Sequence, residues 1–242
     1  QKNIKPEFKD RLEKLLSLYP MRVEGWHSIR LSSQVTLTLI FDGVDRALPE
    51  LQTPVDCWLL NQCEATDILF SNIKRLSKAG ARLFTPMTSD AVQDGLRQTG
   101  FHVTHQSNIT TAIYEQGSNP HLIKKSRPEK VAIIGGGIAG AALAYTLSSR
   151  GCQVTIFEKN GLASGGSGND RGLCNPRISA GKGSEADFYS PAFNLAHRLF
   201  AELSHTSDIG FEACGSLHMI SDDNKDKRYN GFKKNWGWHD DH

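Results

Sequence analysis

The residues of this chain that are best suited to chemistry are three glycines with G-x-G-x-x-G spacing, Gly135, Gly137 and Gly140, followed by Glu158. The first glycine permits a tight turn between strand and helix, the second lets a pyrophosphate approach the backbone, and the third lets the helix pack on the strand. The helix N-terminus offers N–H groups and about half a positive charge to phosphates. Glu158 lies 18 residues after Gly140, where its carboxylate can accept hydrogen bonds from ribose hydroxyls. The pattern predicts a dinucleotide site, and a glycine-rich turn without a ligand is the alternative.

The elements that would position these residues occur at the required spacing. A β-branched run predicts a buried strand over 131–134, followed by a helix over 138–150 and a parallel strand over 153–157. Residues 131–149 form an uncharged stretch of 19 residues, close to the length of a membrane span. Its four glycines and charged flanks favour a strand, turn and helix instead, so we expect no membrane partner.

The loop after Glu158 bears on the identity of the cofactor. A carboxylate at the ribose suits FAD or NAD and disfavours the 2′-phosphate of NADP through charge repulsion. The loop sequence ASGGSGNDRG can wrap closely around a cofactor, because small residues let backbone N–H groups face it. This favours FAD over NAD, and a surface loop without a ligand is the alternative. The predicted cofactor-binding residues are Gly135, Gly136, Gly137, Ile138, Ala139, Gly140, Glu158, Lys159, Gly166, Ser167, Gly168, Asn169 and Gly172.

The first half of the chain alternates between strand-like and helix-like segments. Strands are predicted over 35–41, 55–60, 82–87, 101–104 and 110–115, and helices over 65–79 and 90–98. This order is typical of the second half of an α/β sheet. Because such a half-sheet needs a partner half and the first residue is Gln, we expect the sequence to start inside a longer chain. Residues 118–130, rich in proline and basic residues, are predicted to link residues 1–117 to residues 131–242.

The end of the chain gives weaker signals. A helix is predicted over 191–203, and residues 210–220 are mixed in character. The last twenty or so residues are polar and include two tryptophans expected to be exposed, so they are predicted to be an unsupported end.

The segments IIGGGIAGAALAYTL, VTIFEKN and GGSGNDRG resemble the amino-acid-oxidase-like flavoproteins. Within them the chain looks most like the oxidoreductase half of the bifunctional tRNA 5-methylaminomethyl-2-thiouridine biosynthesis family. The resemblance implies an incomplete Rossmann-type βαβ domain that binds FAD. It also implies removal of the carboxymethyl group from 5-carboxymethylaminomethyl-(2-thio)uridine at the tRNA wobble position. The flavin would take a hydride from the carbon next to the nitrogen, which oxidises the C–N bond to an imine, and water would hydrolyse that imine.

Residues 35–60 and the segment GLRQTGFHV resemble the methyltransferase half of the same family, which uses S-adenosylmethionine. The chain would then hold the C-terminal half of a Rossmann-like methyltransferase sheet. Two departures argue against methyl transfer. Asn61 stands where the family places a catalytic Asp, and a neutral amide cannot take a proton from an amine nucleophile. The glycine loop for S-adenosylmethionine would lie before Gln1. The family has Gly followed by Asp where the adenosine moiety would bind, whereas this chain has Asp42 followed by Gly43. Asp42 is therefore interpreted as a turn residue.

Composition excludes several classes of protein. The chain has 28 Lys and Arg residues against 26 Asp and Glu residues, a net charge of +2. This balance excludes a strongly basic protein that binds polyanions through its overall charge. Five cysteines without C-x-x-C spacing argue against a disulfide framework or a zinc cluster, and no metal site is expected. A reducing, cytoplasmic setting follows. The linker cations Lys124, Lys125, Arg127 and Lys130 could contact tRNA, with a solvated linker as the alternative.

Three functional hypotheses remain open from the sequence. The first is a tRNA-modifying, FAD-dependent oxidoreductase acting on a CH–NH group, with a degenerate methyltransferase part. The second is an amino-acid or amine oxidase of the same flavin superfamily. The third is an inactive FAD-binding fragment. The groups that face the flavin ring cannot be named, so the catalytic residues are left unassigned.

Overall fold

The computed structural model describes residues 5–32, 34–106, 108–117, 128–181, 183–236 and 238. These residues form three sheets with helices between their strands. The α-helices are α1 (Lys9–Ser17), α2 (Val44–Glu50), α3 (Asp67–Leu76), α4 (Asp90–Gln98), α5 (Ile138–Ser148), α6 (Ser184–Ser204) and α7 (Asp223–Asn235). The strands are β1 (Gly25–Arg30), β2 (Thr36–Phe41), β3 (Val55–Leu59), β4 (Ser77–Thr85), β5 (Phe101–Gln106), β6 (Ile109–Tyr114), β7 (Lys130–Ile134) and β8 (Gln153–Phe157).

The described residues fall into two compact units. One runs from Asp42 to position 117, and the other combines residues up to Phe41 with those from position 128 onward. The segment up to Phe41 therefore belongs to the same unit as the βαβ part of the chain. The predicted domain limits, which divide the chain at 118–130, remain a prediction, and most of that linker lies outside the described residues.

The first unit is a four-stranded sheet in the order β3-β4-β6-β5. Strands β3 and β4 are parallel, whereas β6 is antiparallel to both β4 and β5. One row across the sheet, Trp58, Leu83 and Ala112, is buried under α3 and α4. The next row exposes Leu59 and Phe84, because no described element covers the opposite face.

The apolar spacing of α3 and α4 explains this core. The largest fully buried side chains include Ile73 and Leu76 of α3 and Leu96 of α4, which face the sheet. Thr66 caps α3 by accepting a hydrogen bond from the N–H of Leu69 at 3.1 Å. The predicted helix over 65–79 ends three residues early, because Ser77 begins β4 and its hydroxyl bonds both the Ile73 carbonyl and the Trp58 indole.

The βαβ element has one covered face. Strands β7 and β8 are parallel, and α5 connects them and packs on both. The boundaries predicted for these three elements agree with the structure to within two residues. The largest difference is at α5, which ends two residues before the predicted limit. Ile133 lies on the α5 side and is buried, whereas Ile134 is 92% exposed beside its register partner Phe157 at 58%. Among the described residues, nothing covers that second face.

The hairpin of β1 and β2 packs against α6 in the second unit. Arg198 of α6 donates hydrogen bonds to the carbonyls of Leu18 and Ser28, both at 3.1 Å. His27 is 1% exposed and donates from Nε2 to the Val23 carbonyl at 2.7 Å. These contacts join the segment before Phe41 to the part of the chain that follows the βαβ element.

The prediction of an unsupported C-terminal end is wrong. Residues from Asp223 form α7, and Asp222 caps it by accepting a hydrogen bond from the N–H of Lys225 at 2.9 Å. Trp236 is 3% exposed, and its ring lies 5.1 Å from that of Phe232. Trp238 stacks on Phe193 of α6. Aromatic burial thus anchors a segment whose composition is polar. The helix predicted over 191–203 is longer than expected, since α6 begins at Ser184.

The mixed α/β class predicted from the sequence is confirmed, including the half-sheet and the βαβ order. Within the part of the chain that is described, no helix is long and apolar enough to cross a membrane.

Candidate functional site

The glycine turn between β7 and α5 requires glycine at two positions. Gly135 has φ +103°, a conformation that side chains disfavour, and its N–H donates to the Phe157 carbonyl at 2.8 Å. A Cβ on Gly140 would collide with the carbonyl oxygen of Gly135. The turn is therefore tied to the end of β8, and the first turn of α5 lies directly against it.

The carboxylate of Glu158 closes the other side of this turn. Its Oε2 accepts from the N–H of Gly136 at 2.7 Å, and its Oε1 accepts from Lys159 and Asn160 at 2.8 and 3.1 Å. These backbone hydrogen bonds, that of Gly136 first, lower the pKa of Glu158. The side chain is solvent-exposed and stays anionic at neutral pH.

The second glycine loop folds onto the first. The hydroxyl of Ser167 accepts a hydrogen bond from the N–H of Ile138, the first residue of α5, at 2.9 Å. The N–H of Ala163 donates to the Gly136 carbonyl at 3.0 Å. A Cβ on Gly137 would lie 2.9 Å from the Ser167 oxygen, so a side chain at Gly137 would displace the loop.

The structure brings most of the predicted cofactor residues together. Gly166, Ser167 and Gly168 form a 3₁₀ turn whose middle residue reaches the start of α5. Glu158 and Lys159 follow β8. The turn and the first residues of α5 are formed by Gly135, Gly136, Gly137, Ile138, Ala139 and Gly140. Asn169 and Gly172 instead lie in the exposed extended segment after the 3₁₀ turn.

Two residues at this site were missed from the sequence. Ala163 bonds Gly136 and has φ +55°, which is unusual for a residue with a side chain. A Cβ on Gly136 would lie 2.8 Å from Leu162, so the Leu162 side chain covers that glycine. Ala163 begins the loop ASGGSGNDRG, whose small residues are the signal that points to it, whereas Leu162 precedes that loop and has no such signal.

The residues present fit a dinucleotide. A carboxylate has about four acceptor positions, and Glu158 uses three of them on backbone N–H groups, which leaves one for a ribose hydroxyl. The N-terminus of α5 already holds one oxygen acceptor, the Ser167 hydroxyl, as expected for a site that favours anionic oxygens. Nothing lies within 4 Å of a Cβ position on Gly135, so the backbone there is open to close approach, whereas the Ser167 hydroxyl fills that position at Gly137.

In the methyltransferase part, Asn61 and Asp42 each follow a strand. Asn61 is exposed and follows β3, and Gln62 beside it has φ +49°. Asp42 accepts a hydrogen bond from the N–H of Gly43 at 2.6 Å and forms an ion pair with Arg46. These are the contacts of a turn before a helix, in agreement with the interpretation of Asp42 as a turn residue.

Two family models match successive parts of the chain. Residues 6–112 match an S-adenosyl-L-methionine-dependent methyltransferase family, and residues 130–240 match an FAD dependent oxidoreductase family. The second match confirms FAD as the cofactor predicted for this class of domain, and the first agrees with S-adenosylmethionine as the cofactor of the full-length family. Both matches support the predicted order of methyltransferase part and flavin part.

Curated relatives match most of the chain. A tRNA 5-methylaminomethyl-2-thiouridine biosynthesis bifunctional protein from Magnetococcus marinus is 34% identical over 230 residues, which cover 85% of this chain and 34% of that protein. Proteins of the same name from Nitrosospira multiformis and Marinomonas sp. are 32% and 29% identical, covering 88% and 93% of this chain. The chain resembles this bifunctional family in both of its parts. It spans little more than a third of the length of these relatives, 34–37%.

The remaining predictions concern metals and tRNA contacts. Among the described residues, no group of three or more His, Cys, Asp or Glu side chains could hold a metal ion. Lys124, Lys125 and Arg127, predicted as candidate tRNA contacts, lie outside the described residues, and Lys130 begins β7.

Proposed function

We propose that this chain forms the dinucleotide-binding part of an FAD-dependent oxidoreductase that acts on a CH–NH group of a modified tRNA uridine. The observation that carries the proposal is the joined pair of glycine loops, in which Ser167 meets the N-terminus of α5 beside the anionic Glu158. The order of the two family matches adds support. A tRNA substrate would place the reaction in the cytoplasm.

The residues of the chain would hold the cofactor by distinct contacts. The remaining acceptor position of Glu158 would receive a ribose hydroxyl, and the backbone around Gly137 would face the pyrophosphate. The loop from Gly166 to Asn169 would lie over the cofactor because Ser167 already contacts the start of α5. Bound FAD would supply the acceptor for the two electrons that a CH–NH group loses when it is oxidised to an imine.

The substrate is taken from the relatives. Their names specify tRNA 5-methylaminomethyl-2-thiouridine biosynthesis. We infer the same substrate class for this chain, namely 5-carboxymethylaminomethyl-(2-thio)uridine at the wobble position, from which the carboxymethyl group is removed. We further infer that the methyltransferase part is degenerate, because Asn61 offers an amide at the position of the family's acid.

The test is an anaerobic assay of the 242-residue chain loaded with FAD. The absorbance of oxidised flavin at about 450 nm is followed after a substrate is added. The substrate is either tRNA that bears the carboxymethylaminomethyl group or a free amino acid, glycine or N-methylglycine. Bleaching by the tRNA alone supports the proposal. Bleaching by the free amino acids alone would replace it with an amine oxidase. Bound flavin that neither substrate bleaches would show an inactive binding fragment.

A further inference from the structure

A depression outside the dinucleotide site carries a concentration of positive charge. It is open to solvent, has a volume of about 500 Å³ and lies between the segment 177–180, the start of α6 and one face of α7. Three of its lining residues are cationic, Arg177, Lys227 and Arg228, and one is acidic, Glu185. Since Glu185 lies 3.5 Å from the Arg177 guanidinium, these two charges offset each other, and Lys227 and Arg228 leave the depression with a net positive charge. The depression therefore favours an anionic ligand.

The walls of this depression are fixed by close backbone packing. Gly231 of α7 lies against Ala180, where a Cβ would come within 2.6 Å of the Ala180 carbonyl oxygen. The side chain of Asn235 donates a hydrogen bond to the same oxygen at 2.8 Å. Lys227 and Arg228 lie about one turn before Gly231 on this helix and are exposed. The cations are thus held on a defined surface.

Exposed aromatic rings stand next to one of the cations, Arg177. The Arg177 guanidinium lies 4.9 Å from the ring centre of Tyr189, which is 37% exposed. Phe188, 67% exposed, contacts Tyr189 edge to face. Cations that contact phosphates, combined with aromatic faces on which bases stack, are the usual means of binding single-stranded RNA.

We propose that this depression binds the phosphate backbone of a single-stranded segment of the tRNA substrate. The choice of tRNA rests on the proposed function, whereas the location rests on Arg177, Lys227, Arg228 and the neighbouring aromatic rings. The volume exceeds that of one phosphate, which suits a run of nucleotides. Bases next to the contacted phosphates would stack on Phe188.

The experiment measures binding of a labelled tRNA transcript to the 242-residue chain at several salt concentrations. The test variant is Lys227→Ala/Arg228→Ala. The control is Lys233→Ala/Lys234→Ala, which removes the same charge from exposed positions of the same helix that do not line the depression. Each phosphate contact to a single strand contributes about 0.7 to the slope of log affinity against log salt. We expect the test variant to bind about tenfold more weakly, with a slope lower by about 1.4.

The control variant should stay within about twofold of the wild type, and Phe188→Ala should also weaken binding. Equal losses in test and control variants, or no loss in either, would overturn the location while leaving tRNA as the substrate. Complete displacement of the RNA by low-millimolar inorganic phosphate would show a small-anion site instead. A wild type that binds no tRNA would overturn this inference together with the tRNA substrate, but not flavin binding.

Discussion

The carboxylate of Glu158 accepts a hydrogen bond from the backbone N–H of Gly136 at 2.7 Å, joining the end of β8 to the glycine turn after β7. The group that is expected to bind the ribose therefore also shapes the turn that is expected to bind the pyrophosphate. Both functions depend on the negative charge, because the donors around Glu158 are N–H groups.

Replacing Glu158 by Gln should loosen the glycine turn in a pH-dependent way. The folded-state pKa of Glu158 is lowered, so its stabilising effect is present above the unfolded pKa of about 4.3 and is lost as pH falls through the folded value. Denaturant midpoints of wild type and Glu158→Gln should differ at pH 7, and the difference should shrink as the pH falls below about 4.3. A constant difference across this range would mean that the charge has no role.

Arg198 should hold the β1–β2 hairpin on α6. Its guanidinium donates to the carbonyls of Leu18 and Ser28, and truncation leaves both without this donor. We expect Arg198→Ala to lower the free energy of unfolding by about 2 kcal/mol. The exposed Arg22→Ala serves as the charge-matched control and should change it by less than about 0.5 kcal/mol. Similar values for the two variants would remove the anchoring role of Arg198.

His27 should make the hairpin sensitive to acid. Burial lowers its pKa most, the hydrogen bond to Val23 opposes this, and the charge of Arg198 lowers it further. Because the unfolded chain then binds the proton more readily, stability is fully present above about pH 6.5 and falls as pH drops towards the folded pKa. His27→Phe should abolish this loss between pH 7.5 and 5.5. An identical pH profile in wild type and variant would contradict the assignment.

The βαβ part could be predicted from the sequence to within two residues because two local constraints coincide there. Gly135 needs a positive φ and Gly140 needs the absence of a Cβ, so the spacing of the glycines fixes where β7 ends and α5 begins. Likewise α4, from Asp90 to Gln98, has the predicted bounds. Such signals lie within a few residues of the element that they define.

The parts of the fold that could not be predicted from the sequence depend on contacts between segments that are far apart in the chain. The end of the chain looked unsupported because its composition is polar, yet Trp236 and Trp238 pack against Phe232 and Phe193. The contact between Arg198 and Ser28 joins residues 170 positions apart, and no local pattern specifies it. The Ser167 hydroxyl at α5 was foreseen as part of a glycine loop near the cofactor, but its specific partner, Ile138, was not.

Methyl transfer should be absent from this chain. Losing a catalytic proton acceptor typically reduces the rate by about 10²- to 10⁴-fold, and Asn61 provides an exposed amide in its place. We expect no transfer of radiolabelled methyl from S-adenosylmethionine to tRNA bearing aminomethyl-uridine, by wild type or by Asn61→Asp. Label above a no-enzyme control in either protein would show that the site has been misidentified.

Titration of FAD with the purified 242-residue chain tests the dinucleotide site most directly. Gly137→Val places a branched side chain where a Cβ alone comes within 2.9 Å of the Ser167 hydroxyl, whereas Gly181→Ala meets nothing within 4 Å and serves as the control. Followed by flavin fluorescence, wild type and Gly181→Ala should bind FAD with the same affinity, and Gly137→Val about 10- to 100-fold more weakly through overpacking. Equal affinity in all three proteins, or no binding by the wild type, would contradict a dinucleotide site formed by these two loops.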